Sequence, residues 1–219
     1  MSKTLIAALV AGAAVSAANA DVISSWNLQG LTGTEASKAG TGSANVTALA
    51  ATRGAGLNGN AGGNSMNASG WDDLGANDFF QFGFTVAGGF QVNLSSLSIG
   101  LRASGTGPGS VIFSYSTGGA FTTLPATATS TAPGANFVNS VYNLSALTNL
   151  SGTVTFRLRA NGNTSANGGS ISSSGTFRIT NFFAGTDTGS FRFEGTTIPA
   201  PGALALVGLG GLVAGRRRR

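Results

Sequence analysis

The chain has 219 residues, 42% hydrophobic and only 9% charged, with 35 glycines, 14 phenylalanines and neither cysteine nor histidine. The missing histidine excludes Ser-His and Cys-His nucleophiles and removes the commonest metal ligand, and the missing cysteine excludes disulfides. The formal charge of +5 suggests nucleic acid only until the charges are placed: Lys3 and four arginines at the C-terminal end carry the whole excess, and the remaining seven bases are matched by seven acids, so no nucleic-acid partner is expected.

In chain order, Met1-Ser2-Lys3 supplies a positive start, residues 5–15 a short apolar run, and Ala18-Asn19-Ala20 an A-x-A site. This reads as a secretory signal peptide, residues 1–20, cut between Ala20 and Asp21. The apolar run is too short to span a bilayer as a permanent helix. Residues 21–197 are then expected to form one exported domain, whose stability must come from packing, with the phenylalanines supplying apolar area at about 25 cal/mol per Å² buried.

Within that domain the hydrophobic period is two. A first strand is expected over residues 22–28, with Trp26 on its apolar face. Residues 30–70 are rich in Gly, Ala, Asn and Thr and predict a long loop, apart from some alternation over residues 45–49. Residues 79–86 place Phe80, Phe82, Phe84 and Val86 on one side, as a half-buried strand does. Strands follow over 90–94, 96–102, 111–116 and 121–124, with turns at Gly88-Gly89 and Gly118-Gly119. A Thr/Ala/Pro loop over 123–135 precedes strands over 136–144 and 153–160. In the latter, Val154, Phe156 and Leu158 point inward and Arg157 and Arg159 outward. Strands over 176–182 and 189–196 complete the set. Short strands at this spacing, without helical period, predict an all-β sandwich or barrel. Two similar segments, 92–97 and 142–147, are expected to be the same short turn used twice.

The densest polar cluster is Trp71-Asp72-Asp73-Leu74-Gly75-Ala76-Asn77-Asp78. Its carboxylates are expected to cap turns. A Ca²⁺ site is the alternative, although the spacing is not that of an EF-hand and no Glu closes it. Paired carboxylates for glycoside hydrolysis would need one of these acids opposite Asp187 or Glu194. Of the aromatic residues able to stack on sugar, Trp26 and Tyr115 share the period of apolar faces, and Tyr142 is a third. Trp71, on a loop beside Asp72, Asp73 and Asp78, is the best candidate glycan contact, although the role expected of it is structural.

The C-terminal end reads as a membrane stop and orientation signal, residues 198–219. Pro199-Ala200-Pro201 is followed by an apolar segment and then Arg216, Arg217, Arg218 and Arg219. As a helix, residues 201–215 would be about 22 Å long, marginal for the hydrocarbon core unless the arginines snorkel. The cations would hold that end on the cytoplasmic side.

This order resembles the PEP-CTERM sorting signal of bacterial surface proteins, with Ala200 where the name-giving pattern has Glu. The resemblance implies processing by an exosortase-like membrane enzyme near the proline motif, transient anchoring through the apolar helix, and delivery to the cell surface or extracellular matrix among exopolysaccharide. Trp26-Asn27, Asn77-Asp78-Phe79-Phe80 and Gly175-Thr176-Phe177-Arg178-Ile179 are similar in pattern and order to the concanavalin-like or jelly-roll sandwiches that often precede such tails. That resemblance implies an antiparallel jelly-roll sandwich between a signal helix and a hydrophobic helix. It brings no catalytic motif and no cofactor. The expected role is structural or glycan-contacting, and a secreted glycan-active enzyme using paired carboxylates is the alternative.

Overall fold

The computed structural model describes residues 20–131, 137–183 and 189–202. Among these the chain forms fourteen strands, all paired antiparallel, in two sheets. The strands are β1 (Asp21–Trp26), β2 (Ser37–Lys38), β3 (Thr41–Gly42), β4 (Val46–Arg53), β5 (Asn58–Gly59), β6 (Ser65–Ser69) and β7 (Phe80–Val86), then β8 (Phe90–Ala103), β9 (Ser110–Ser116), β10 (Thr122–Ser130), β11 (Val138–Asn143), β12 (Thr153–Ala160), β13 (Phe177–Thr180) and β14 (Phe191–Pro199). Six strands form one sheet in the order β10-β9-β12-β7-β4-β2. The eight-stranded sheet runs β3-β1-β14-β8-β13-β6-β5, with β11 also on β8.

The long strand β8 organises the larger sheet. Ser98 pairs with both Arg192 of β14 and Val141 of β11, and Leu101 pairs with both Ile179 of β13 and Val138 of β11. A residue has one neighbour on each side, so β14 and β13 lie end to end along one edge of β8 and β11 lies along the other. β13 and β14 are therefore two stretches of what would otherwise be one partner strand.

The two sheets face each other through rings. Phe82 and Phe156, cross-strand partners in the six-stranded sheet, meet Phe191 and Phe193 of the other: centroids are 5.0 Å apart for Phe82–Phe191 and 4.5 Å for Phe156–Phe193. Trp26 stacks on Phe191 at 4.6 Å and its indole N–H donates to the Leu49 carbonyl at 2.8 Å. These side chains are fully buried, which makes the fold a β-sandwich held by aromatic packing. Trp26 and Tyr142 are core residues, and Tyr115 packs against Phe156, in keeping with their strand faces.

Three expectations are corrected. The expected loop over 30–70 contains β2 to β6, of which β4 pairs with β7 and β6 with β13. Hydrophobic period hides them because β4 is interrupted by a bulge between Leu49 and Thr52, and Ser65 to Ala68 of β6 are all buried. The expected loop over 123–135 is largely the edge strand β10, whose bulge between Leu124 and Thr129 accommodates Pro125. The segments 92–97 and 142–147 are not two copies of one turn: the first runs inside β8, the second ends β11, and they bond to each other through Leu94 N–H to Leu147 O and Leu144 N–H to Ser95 O.

Candidate functional site

The loop 71–78 leads into β7 and sits against the 54–57 turn. Gly54 and Gly56 donate their N–H groups to Phe79 O and Asn77 O. Gly56 is required there, because a Cβ at that position would overlap Asp78 Oδ1.

Trp71 is fully buried, as the structural role has it and not as the alternative glycan contact would. Its ring packs 5.5 Å from Phe80 and 5.6 Å from Phe177, and its indole N–H donates to the Ala68 carbonyl at 2.9 Å. It forms a second aromatic nucleus where both sheets meet, and no face is left for a sugar ring. The sequence placed it on a loop correctly, but the loop folds inward.

The three carboxylates diverge in role. Asp72 is half-buried, Asp73 is exposed, and Asp78 is buried. Gly75 N–H donates to Asp73 Oδ1 at 2.9 Å and to Asp78 Oδ2 at 2.5 Å, and Asp78 N–H returns a bond to Gly75 O at 3.2 Å. Burial pushes the Asp78 carboxyl up to about 6, helped by a hydrogen bond with Asp73, while that bond and the Gly75 N–H hold Asp73 low. Arg159 donates to Gly75 O at 2.6 Å and partly offsets the rise. The pair closes a turn in the way expected of capping carboxylates.

Leu74, Asp78, Ile112, Thr123, Arg159 and Ala160 line a cleft of about 160 Å³ at this point. That is below the ~300 Å³ at which small-molecule pockets begin. Among the described residues no group of three or more acidic, histidine or cysteine side chains is placed to hold a metal ion.

Glu194, one of the two acids expected opposite this pair, does not face it across a cleft. Glu194 lies on the outward side of the eight-stranded sheet, bonded to Arg192 Nε at 2.8 Å and to the Ser96 hydroxyl at 2.8 Å. Arg159, which touches the Asp78 turn, projects from the outward side of the six-stranded sheet. Asp187 lies outside the described residues. Glu35 closes the 32–35 turn: the Thr32 N–H above all, with the Thr32 hydroxyl and Gly33 N–H, lowers its carboxyl to about 2.

The residues expected to mark the two processing points lie on paired strands, β1 and β14. Asp21 opens β1 and pairs with Gly195 of β14, and Pro199 ends β14 opposite Phe90. Ala200 N–H donates to Gly89 O at 2.8 Å, and Pro201 is exposed beyond it. Ala20 is exposed next to β1. A cleft of about 220 Å³, lined by Asp21, Ile23, Ser43, Asn45, Phe90 and Thr197 among others, lies where the two ends meet. Ala18, the apolar C-terminal segment and Arg216, Arg217, Arg218 and Arg219 lie outside the described residues. No helix among the described residues is long and apolar enough to cross a membrane.

One arrangement escapes the sequence reading. Arg157, expected simply to face outward, is held between the rings of Phe79 at 3.9 Å and Phe121 at 4.1 Å, and its Nε donates to Gln81 Oε1 at 2.8 Å. Phe79 and Phe121, each just outside a strand, were the available signal. No family model, curated protein or solved structure matches the chain.

Proposed function

We propose that this is an exported bacterial surface or extracellular-matrix protein, sorted by the PEP-CTERM-like signal of residues 198–219. Its body serves there as a non-enzymatic structural or glycan-contacting component. In this reading an exosortase-like enzyme recognises Pro199-Ala200-Pro201, and the membrane is a transient partner. The sandwich is of jelly-roll type, flanked by a signal helix and a hydrophobic helix. The observation that carries the reading is the coincidence of fold boundaries with processing points. The first strand starts at Asp21, directly after Ala18-Asn19-Ala20, and the last strand ends at Pro199, the first residue of the sorting motif. A body bounded in this way can lose both signals without losing a strand.

The raised Asp78 carboxyl is the one feature that favours a glycan-active enzyme. Its geometry favours the structural role. Asp73 and Asp78 are hydrogen-bonded to each other, closer than the ~5 Å separation of a nucleophile and acid, and the ~6.5 Å or more of an inverting pair is further still.

The test is to fractionate cells carrying an epitope within the body and to take the intact mass of the surface or matrix material. The expected product begins at Asp21 and lacks the arginine tail. An unprocessed 219-residue chain, or a body confined to the cytoplasm, overturns the proposal. The same material is then incubated with a panel of polysaccharides while reducing-end release is followed. Release abolished by Asp73→Asn would put the enzyme in its place.

A further inference from the structure

The edge of a β-sheet carries unpaired N–H and C=O groups that invite another strand, and folds guard such edges with short strands, charges, proline or bulges. Four of the edges here are guarded. β2, β3 and β5 are two residues long, and β10 is broken by its bulge and by Pro125. β11 is the exception among the described residues. It is the outermost strand on its side of β8, and its six residues pair with β8 without a register shift. Residues 137–143, Phe-Val-Asn-Ser-Val-Tyr-Asn, carry neither charge nor proline.

The phase of that ladder shows what the edge offers. Leu144 N–H donates to the carbonyl of Ser95, which lies opposite it in the same register, so Tyr142, Ser140 and Val138 direct their backbone groups to β8. Asn139, Val141 and Asn143 then turn theirs away from it, and no described residue bonds them. The side chains of these three share the outward face, since Tyr142 between them is buried and its hydroxyl donates to Thr129 Oγ1 at 2.8 Å, tying the strand to β10 of the other sheet. Val141 is 60% exposed, more than any other large hydrophobic residue described. Asn139 Oδ1 accepts from Phe183 N–H and Asn143 Oδ1 from Ser145 N–H, which leaves both Nδ2 groups as donors without a partner among the described residues.

We infer that β11 is an association edge for a second copy of this chain, whose own β11 adds antiparallel so that Val141 lies opposite Val141 of the partner subunit. Two observations select this occupant. The outward residues read the same in both directions, Asn139, Val141, Asn143, so a two-fold axis at Val141 sets valine on valine and each asparagine opposite an asparagine. An unused Nδ2 then faces an Oδ1 able to accept a second bond. Within the chain, no other described edge is long and regular enough to match β11. Three residue pairs exchange both backbone bonds, and the two eight-stranded sheets run on into one. Pairing occupies β11 on both copies, so it closes as a dimer instead of growing into a fibre. The inference goes beyond the sorting reading and does not depend on where the chain is delivered.

The test measures the mass of the full chain in mild detergent by sedimentation over a range of concentrations. Wild type is expected to dimerise. Val141→Lys and Val141→Asp, which set like charges opposite each other, should each weaken the dimer about fivefold or more, and an equimolar mixture of the two should restore it. Val141→Pro removes an N–H that β8 does not use and should abolish dimerisation as well. Unchanged thermal midpoints in these variants separate loss of association from loss of fold. All of them share the same terminal segments, so equal association in wild type and variants would assign the dimer to another surface and overturn the inference. A wild-type chain that stays monomeric overturns it too, and leaves the edge to a strand of another protein. Failure of the mixture to recover overturns the pairing of Val141 with its counterpart, and with it the second copy as occupant.

Discussion

Two outward arginines of the six-stranded sheet, Arg157 and Arg159, stand in contrast to Arg178 of the eight-stranded sheet. Arg157 and Arg159 are two apart on β12; the first is clamped between Phe79 and Phe121 and bonded to Gln81, and the second is bonded to the Gly75 carbonyl. Arg102 and Arg178 face each other from neighbouring strands, and Arg178 has no such clamp. Both Arg157 and Arg178 have lowered pKa values for the same two reasons, burial first and the neighbouring arginine second. Charge count therefore does not distinguish the pairs. What does is whether the described residues supply a partner: for Arg157 and Arg159 they do, so those arginines belong to the fold, and for Arg178 they supply neither an ion pair nor a hydrogen bond.

Substitutions can break this contrast or sharpen it. Phe156 sets the scale, since it is adjacent to Arg157 in sequence and wholly buried against Phe193. Phe156→Ala should cost about 3–5 kcal/mol by leaving a cavity. Equal denaturant midpoints for this variant and wild type would mean that the faces of β12 are assigned wrongly. Arg157→Ala should cost about 1–2 kcal/mol, more than its outward position alone predicts, because two cation–π contacts are lost at a half-buried site. Arg178→Gln should move stability by no more than about 0.5 kcal/mol. If urea melts gave Arg157→Ala and Arg178→Gln the same midpoint, the contrast between the two pairs would be gone.

The smallest effect concerns the turn that Arg159 supports. The Asp78 carboxyl is pushed up to about 6 in the fold from an ordinary value of 3.8, so between those pH values the folded chain holds a proton that the unfolded chain has released. Stability contributed by this group is complete below the lower value and is lost as pH rises through about 6. Asp73, shifted the other way, contributes above its ordinary range and loses that contribution as pH falls. Chemical denaturation from pH 4 to 7 should show the decline, and Asp78→Asn should flatten it. An unchanged slope in the variant would assign the decline to other groups.

The sandwich was legible wherever large side chains alternate. Residues 79–86 and 153–160 read directly as β7 and β12, because phenylalanine and leucine on every second residue leave one pattern to satisfy both local shape and burial. β4 and β6 were not legible, since their alternation is carried by Thr, Ala, Ser and Asn and their pairing with β7 and β13 is decided by distant strands. At the candidate site the acids were found and their turn-closing role foreseen. The structural role of Trp71 was foreseen too, but its partners Phe80 and Phe177 were not, because a loop in sequence gives no sign of the direction in which it folds. The facing of Arg102 and Arg178 depends on register between β8 and β13, which no local window contains.

The pairing of β1 with β14 also has a kinetic side. Apart from Ser24 and Ser25 on β3, every ladder partner of the first strand belongs to the last, across more than half the chain. Ile23 and Trp26, among the first residues synthesised, cannot be covered until residues 191–199 exist to lie between β1 and β8. Closing so long a loop costs little more entropy than closing one half its length, but contacts this distant in sequence slow folding and leave strand edges open meanwhile. A chain stopped short of Phe191 would lack the strand that joins β1 to β8.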